Sequence, residues 1–469
     1  MAKITSMMDI GKRSMMNSQT ALTTVAHNMA NKSTEGYSRQ RVDQVAGPSI
    51  NEGRLNIGTG ARAAAVTRTN NPWLERQLEK EGAEFKALET RADGMSKVEN
   101  IFNEQTNKSI NVYVADFFNS FRELANAPES TTARTVVKES AEQMTNEFKK
   151  VHGQLTGVQK SLDNTIEFAV VELNQQIKEI AQLNEKIQHV EVTGGVANDE
   201  RDRRDLLLKK ISEKADITYG EDRKTGMVSV TLGKTAILVS GSLHTALKTV
   251  NDEDNKVRIM YELSPGGTSV DVSSQISKGS MGAALDLRDH LIDDLKNGLN
   301  DMAMSIAEQV NAAHREGYDR TGQMGGSFFR IDGNARQPTL TFDLSTTVAE
   351  DVSRIAAAAK PGAPGDNTVA NVLHNIQFEP MMGDGTTIDD FYNSKVGQIG
   401  ILTQRANKGF EAQQNVITQL SNLRESISGV SLDEEAAKMI EYQKAFEASA
   451  RLIKVADEMF DTVLNLKRL

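Results

Sequence analysis

The two ends of this chain constrain its fold more than anything between them. Near the N-terminus, Ile4, Met8, Gly11, Met15, Ser18, Leu22, Val25 and Met29 recur at alternating steps of four and three, the seam of a coiled coil. At the other end, Leu432, Ala436, Met439, Phe446, Ala450, Ile453, Phe460 and Leu464 step by threes and fours, with polar Gln443 and Asp457 interrupting. Leu452, Val455, Met459, Val463 and Leu466 form a second stripe there. Ser431 followed by Glu434 reads as a capping box, and no Gly or Pro stops the helix before Leu469. A chain end frays unless something holds it, and an end that is apolar on two faces needs partners on two sides. The two ends fit together as an antiparallel helix pair that closes the chain on itself. Periodicity is equally compatible with two amphipathic helices packed separately on one globular body.

Between the ends, residues 32–70 are rich in Ser, Gly, Asn and Thr, with Gly53, Gly58 and Gly60, which predicts extended chain and a hairpin. Asn71-Pro72 opens a helix with Pro in its first turn, and Leu74, Leu78, Phe85, Leu88, Met95, Val98 and Phe102 line one face. A second helix is expected over 109–126. A long one is expected over 131–190, where Met144, Phe148, Val151, Leu155, Val158, Leu162 and Ile166 keep the alternating spacing, and Gly194-Gly195 break it. A short helix over 198–214 follows. The pattern then changes to period two from Met227 through Val257 to Leu263, punctuated by Gly226, Gly233, Gly241 and Gly266-Gly267; this predicts antiparallel strands. Helix returns over 280–316. Residues 318–387 are mixed, with a turn at Gly383-Asp384-Gly385 among others, and a second long helix covers 388–428.

The expected fold is mainly α with an inserted β module. The terminal helices pair as a coiled coil, long helices form a body, and a small antiparallel β domain is inserted. Three units follow: 1–70 with 429–469 at the ends, 71–215 with 280–428 as the helical body including the mixed segment 318–387, and 216–279 as the β domain. Aromatic content of 5% is low for one thick core, which suits thin helical elements.

Composition excludes much chemistry. With no cysteine, disulfides, thiolate zinc sites and thiol nucleophiles are out. A net charge of −10 argues against nucleic acid as partner, since phosphate binding needs clustered Lys and Arg, and leaves no footprint for an anionic membrane. No stretch approaches the roughly 20 apolar residues of a membrane span. Gly58-Thr-Gly60-Ala-Arg-Ala63 matches a relaxed dinucleotide pattern but lacks the strand and crossover helix; it reads as a turn. Gly233-Lys234-Thr235 is half a phosphate loop with Val228 where its first glycine belongs, and reads as a hairpin turn. Asp319-Arg-Thr-Gly322 and Asp384-Gly385 lack the alternating carboxylates of a calcium loop. Asp252-Glu-Asp254 reads as a solvated hairpin tip. His27, His152, His189, His244, His290, His314 and His374 form no ligand pair, and each is expected at a surface or interface. Arg204-Asp205 and Arg288-Asp289 are expected as ion pairs or caps. No catalytic residue, cofactor or metal site is assigned, and the chain reads as a non-enzyme.

Five segments in register carry a resemblance. Asn28-Met-Ala-Asn31-Lys-Ser-Thr34-Glu-Gly36-Tyr37-Ser38-Arg39-Gln40 is similar to the signature after the first helix of flagellar rod, hook and hook-associated proteins, and Tyr37 to Gln40 to the hook-associated branch. Asp202 to Leu207, Leu285 to Asp289, Val310 to Phe329 and Gly429 to Leu466 follow in that branch's order. Glu35 and Ser33 stand where the family usually has Pro and Asn. The resemblance implies a structural protein of the bacterial flagellum that joins hook to filament by self-assembly through its terminal helices. It implies copies of itself, hook protein, a second hook-associated junction protein and an export chaperone at the C-terminal helix as partners. It also implies type III export without a cleaved signal, an extracellular location, and terminal helices lining an inner tube. The expected contacts are Met8, Met15, Leu22, Val25 and Met29 on the first helix, Asn28, Asn31, Thr34, Gly36 and Tyr37 in the signature, and Tyr442, Phe446, Ile453, Phe460 and Leu464 on the last. Two alternatives stay open on the residues alone: a cytosolic coiled-coil scaffold, and a scaffold carrying a hydrolase in its β module.

Overall fold

The computed structural model describes residues 2–52, 55–103, 108–262, 267–383 and 385–466. Gly53, Leu263, Gly266, Asp384 and the tail to Leu469, all used above, lie outside these. The first helix, α1 (Ala2–Ala30), leads into a signature turn and two antiparallel strand pairs, β1 (Gln40–Ala46) with β4 (Ala61–Arg68), and between them β2 (Ile50–Glu52) with β3 (Leu55–Ile57). Then come α2 (Pro72–Phe102), α3 (Ile110–Asn126), the 62-residue α4 (Thr131–Val192) and α5 (Asn198–Ser212). Asn71 caps α2 through its side chain and Ser130 caps α4, as short polar residues before a helix do.

The β module is two small sheets. One has four strands in sequential antiparallel order, β5 (Ile217–Glu221), β6 (Val228–Leu232), β7 (Ala236–Ser240) and β8 (Leu243–His244). The other joins β9 (Leu247–Asn251), β10 (Val257–Glu262) and β11 (Ser269–Asp271). Strands β6 and β10 alternate between core and outer face, the pattern the period of two predicts. Helix returns as α6 (Gly279–Asp286), a π turn over Leu287–Ile292, and α7 (Asp293–Glu316). Strands β12 (Phe329–Arg330) and β13 (Asp343–Leu344) and helices α8 (Thr346–Glu350) and α9 (Thr368–Asn375) make up the mixed segment. Helix α10 (Ile388–Ser428) runs back antiparallel along α2, with Phe410 stacked on Phe85 at 5.3 Å and Arg424 paired with Glu75 at 2.9 Å. The last helix, α11 (Leu432–Leu466), returns to α1. The architecture is therefore mainly α, with paired terminal helices, a long-helix body and a small antiparallel β module.

The body has a real core despite few aromatics, because they are concentrated. Phe117, Phe118, Phe121, Phe148, Phe328, Phe329 and Phe342 are all buried, with neighbouring ring centroids 4.8 to 5.8 Å apart. Asn311 builds part of it: its Oδ1 accepts from the N–H groups of Phe328 and Phe329 at 2.7 and 2.8 Å. Nearby His314 is fully buried; its Nε2 accepts from Ala356 N–H at 2.9 Å, so Nδ1, 2.8 Å from Gly326 O, is the donor. His152 is equally buried, and its Nε2 has no hydrogen-bond partner. Both correct the expectation that every histidine lies at a surface or interface; each imidazole fills core volume as a neutral group.

Arg288 joins the β module to the body. Fully buried in the π turn, it donates two bonds to Asp289 (2.9 and 2.8 Å), one to Asp163 on α4 (2.6 Å) and one to Val257 O on β10 (2.7 Å). Arg204 does similar work from α5, donating to Gly226 O at 2.6 Å and Glu221 at 3.1 Å. Its distance to Asp205 is 3.9 Å, so that neighbour is a secondary partner. The Asp252–Asp254 tip is solvent-exposed at Glu253 and Asp254, and a surface ion pair from Arg336 reaches Glu253 at 2.7 Å.

Two outcomes follow. Replacing Arg288 with Ala strands the Asp163 carboxylate in the interior and should lower stability by about 3–5 kcal/mol, read from the urea midpoint. Burial, the first cause for both, holds His152 and His314 at about 4 against an ordinary 6.5. The unfolded chain therefore takes up their protons first as pH falls. Stability should be full above about 6.5 and decline toward 4, by up to roughly 3 kcal/mol per histidine. A His152→Phe variant should flatten that slope; an unchanged slope contradicts the assignment.

Candidate assembly interface

Helices α1 and α11 pack antiparallel along their length. Ser14 meets Ser449 at 2.7 Å, Asn28 meets Glu435 at 2.9 Å, and a Cβ on Gly11 would lie 2.9 Å from Leu452 and 2.7 Å from Ile453. In each case the residue numbers add to 463 or 464, which defines one register. The small residues at 11, 14, 18 and 21 let the two backbones approach closely.

The seam itself differs from the expected one by a single step. On α11 a line of sheltered positions runs through Glu435, Met439, Tyr442, Phe446, Ser449, Ile453, Ala456 and Phe460 in an unbroken four-three repeat, with Lys438, Ala445 and Leu452 half-buried beside it. Leu432, Ala436, Ala450 and Leu464 are exposed, and Gln443 and Asp457 lie outside the seam rather than interrupting it. On α1 the sheltered run is Gly11, Ser14, Ser18, Ala21, Val25 and Asn28. Met8, Met15, Leu22 and Met29 are therefore half-buried flanks. The offset has a cause. Strands β1 and β4 cover a second face of α1, where Asn17 donates to Ala61 O and accepts from Ala63 N–H at 2.7 Å each, and Arg13 donates to Thr59 at 3.0 Å. Two partners share the helix, so its buried arc is wider than one stripe. Leu464 lies on the same exposed line as Ala436 and Ala450, one position off the seam.

The signature turn ties this pair to the body. Asn28, 1% exposed, spends its whole amide: Oδ1 accepts from Tyr37 O–H (2.7 Å) and Gln40 N–H (2.9 Å), while Nδ2 donates to Gln40 O (2.8 Å) and Glu435 (2.9 Å). The second oxygen of Glu435, also 1% exposed, accepts from Arg39 Nε at 2.8 Å. Arg39 N–H donates to Ser428 O at 2.9 Å, which holds the α10–α11 corner. Ser431 caps α11 only loosely, its Oγ 3.5 Å from Glu434 N, and the Glu434 carboxylate lies 3.6 Å from Arg39, so half the expected capping box is diverted. Asn31 bonds His27 O (3.1 Å) and accepts from exposed Thr34 (3.2 Å). Gly36 turns the chain at φ +82°, where an added Cβ would lie 3.0 Å from Leu206.

Helix α5 receives the turn. Asp202 accepts from Ser38 N–H at 2.8 Å and Arg68 at 2.8 Å, and Asp199 accepts from Gln40 at 2.6 Å. Arg424 on α10 donates to Gly36 O at 3.2 Å. Exposed Glu35 pairs with Lys210 at 2.7 Å, a surface tie between the turn and α5. Burial first, then the nearby Asp199, Asp202 and Glu435 charges, push the Tyr37 hydroxyl upward, so it stays protonated and donates to Asn28. Burial likewise pushes the Asp202 carboxyl up, with Arg68 and Ser38 opposing.

Of the expected contacts, Val25, Asn28, Tyr37, Tyr442, Phe446, Ile453 and Phe460 are brought together in the pair and its clasp. Asn31 and Gly36 shape the turn, and Thr34 sits on its outside. Arg39, Glu435, Ser14 and Ser449 were not singled out. Continuing the four-three repeat backward from Phe446 lands on Glu435 and marks a charged residue inside a seam.

A clasp of this kind, joining a first helix, the turn that follows it and a last helix, defines a helical structural protein built around its paired termini. Residues 95–329, half of the chain, match the flagellar hook-associated protein FlgK helical domain, and residues 424–466 match the C-terminal region of flagellar basal body rod FlgEFG proteins. Flagellar hook-associated protein 1 of Bacillus subtilis (strain 168) is 29% identical over 98% of this chain and 97% of its own length. Its namesake in Escherichia coli (strain K12) is 25% identical over 96% and 97%. A solved structure described as the flagellar hook junction protein FlgK from Burkholderia pseudomallei superposes with a TM-score of 0.68 at 17% identity, covering 75% of this chain and all of that one. The chain is thus a flagellar structural component. It belongs to the flagellar hook-associated protein 1 (FlgK) family.

Gly36→Ala places a side chain in left-handed backbone against Leu206. It should destabilise the turn by about 1–2 kcal/mol, and α11 should then be cut by protease at concentrations that leave the parent intact. Equal protease resistance contradicts a role for this turn in holding the helix.

Proposed function

We propose that this protein joins hook to filament by assembling through its terminal helices. The observation that carries the reading is the apolar surface left on α11 after α1 has taken its seam. Val455, Met459 and Val463 are 44%, 48% and 38% exposed, and Leu464 beside them is 41% exposed. Fully burying such a side chain contributes about 1.5–3 kcal/mol. A few of them per copy give weak association in dilute solution and strong association in an array, where each copy meets several neighbours. Contacts between unlike patches generate rings or helical arrays.

In this reading the units are 1–70 with 429–469, forming the inner tube; 71–215 with 280–428, forming the next shell; and 216–279, facing outward. The contact residues are those named above, from Met8 to Leu464. Its partners are other copies, hook protein, a second hook-associated junction protein, and an export chaperone that takes α11 before secretion through the type III route to the cell exterior. A helix with exposed apolar flanks suits a helical groove. A hydrolase is not favoured. The cleft of about 780 Å³ between α2 and β5 is lined by five carboxylates, Glu79, Glu81, Glu84, Asp216 and Glu221, and four of them are engaged: Glu79 by Tyr219 at 2.8 Å, Glu81 by Gln77 at 2.8 Å, Asp216 by Lys278 at 3.3 Å and Glu221 by Arg201 at 2.9 Å.

Deleting residues 433–469 tests the proposal. The truncated protein should keep a cooperative melt and a mainly helical spectrum, yet cells carrying it should be non-motile and shed filament subunits into the medium. Normal filaments on such cells contradict the proposal.

A further inference from the structure

Most of the α11 seam is generic. Met439, Tyr442, Phe446, Ile453 and Phe460 present an apolar heptad stripe that another apolar heptad stripe fits equally well. Glu435 does not. It is the one charged side chain in that seam, it is 1% exposed, and both of its oxygens are occupied, by Arg39 Nε at 2.8 Å and Asn28 Nδ2 at 2.9 Å. Those two partners stand together at a single place, where α1 ends and the signature turn begins.

Elsewhere along the α1 seam the carboxylate meets no opposite charge. One heptad along α1 it faces Ala21, and the other sheltered positions there, Gly11, Ser14, Ser18 and Val25, carry no charge. If two α11 helices paired in parallel through the same seam, two Glu435 carboxylates would face each other. A buried charge without its partner is expensive, and specificity is the difference between the correct and incorrect pairings.

We propose that Glu435 determines which helix α11 accepts: its carboxylate admits the seam formed by α1 with its signature turn and rejects other apolar seams, including a second α11. This inference stands on the pairing within one chain and is independent of any role at the hook.

The test uses the full chain, whose lack of native cysteine leaves engineered thiols alone. Ser14→Cys and Ser449→Cys replace hydroxyls already 2.7 Å apart. Mild oxidation of the parent pair variant should give a bridge within one chain. Adding Glu435→Leu should raise the share of chains bridged to another chain roughly tenfold or more, while the body keeps its melting transition. Adding Arg39→Leu, which strands the carboxylate instead of removing it, should weaken the internal bridge without raising the external one. Three results overturn the proposal. They are a Glu435→Leu variant bridged internally as cleanly as the parent, one that forms neither bridge, and an Arg39→Leu variant that cross-links between chains as much as Glu435→Leu.

Discussion

The amide of Asn28 is the point on which this architecture turns. It gives two bonds and takes two, and the groups it joins come from the end of α1, the signature turn, β1 and the start of α11. More than 400 positions separate Asn28 from Glu435. Closing so long a loop has an entropic cost that rises only slowly with length, and a buried network that uses the whole Asn28 amide and both Glu435 oxygens can offset it. Removing one member leaves the others buried and unpaired, at about 1–3 kcal/mol for each neutral group and more for a charge. The pairing of the termini, the corner at Ser428 and the docking of the turn on α5 therefore stand or fall together.

The body has the same construction at a second place. Arg288, fully buried, gathers α4, β10 and its own π turn as Asn28 gathers the termini. A polar group at the centre of each junction fixes which elements meet, and apolar packing around it supplies most of the stability. The phenylalanine cluster does this for the body. At the termini the apolar contribution is thin, with a narrow seam containing Gly11, Ser14, Ser18 and Ser449. So thin a seam predicts that the ends open at a lower free energy than the body.

Much of this was legible in the sequence. Helix limits fell within a few residues because Pro72, Gly194 and Gly429 punctuate strong periodic runs, and the period-two stretch from Met227 marked the β module. Heptad spacing at both ends made their antiparallel pairing one of two readings, the other being separate packing on the body; the register of Ser14 with Ser449 and Asn28 with Glu435 decides for the pair. The exact seam was not legible. Apolar residues mark a helix's hydrophobic side, whereas the line of contact depends on what else covers the helix, and β4 on the far side of α1 is a tertiary fact. Glu435 was passed over because charge normally signals solvent; its burial depends on Arg39, brought close only by the turn. His152 and His314 were misplaced for a related reason. Nothing in the local pattern shows that a histidine will be neutral and enclosed, since that is decided by α7 and the chain around Gly326 and Ala356.

If the clasp governs the ends, α1 and α11 form one cooperative unit that opens separately from the body. Native-state hydrogen exchange on the isolated protein in dilute solution measures this directly. The amides of 11–28 and 435–456 should share one opening free energy, well below that of α4 and α7, and should lose protection together when Asn28 is replaced by Ala. Protection of both ends at the body's full level, or exchange of α11 unaffected by the loss of Asn28, would contradict the account.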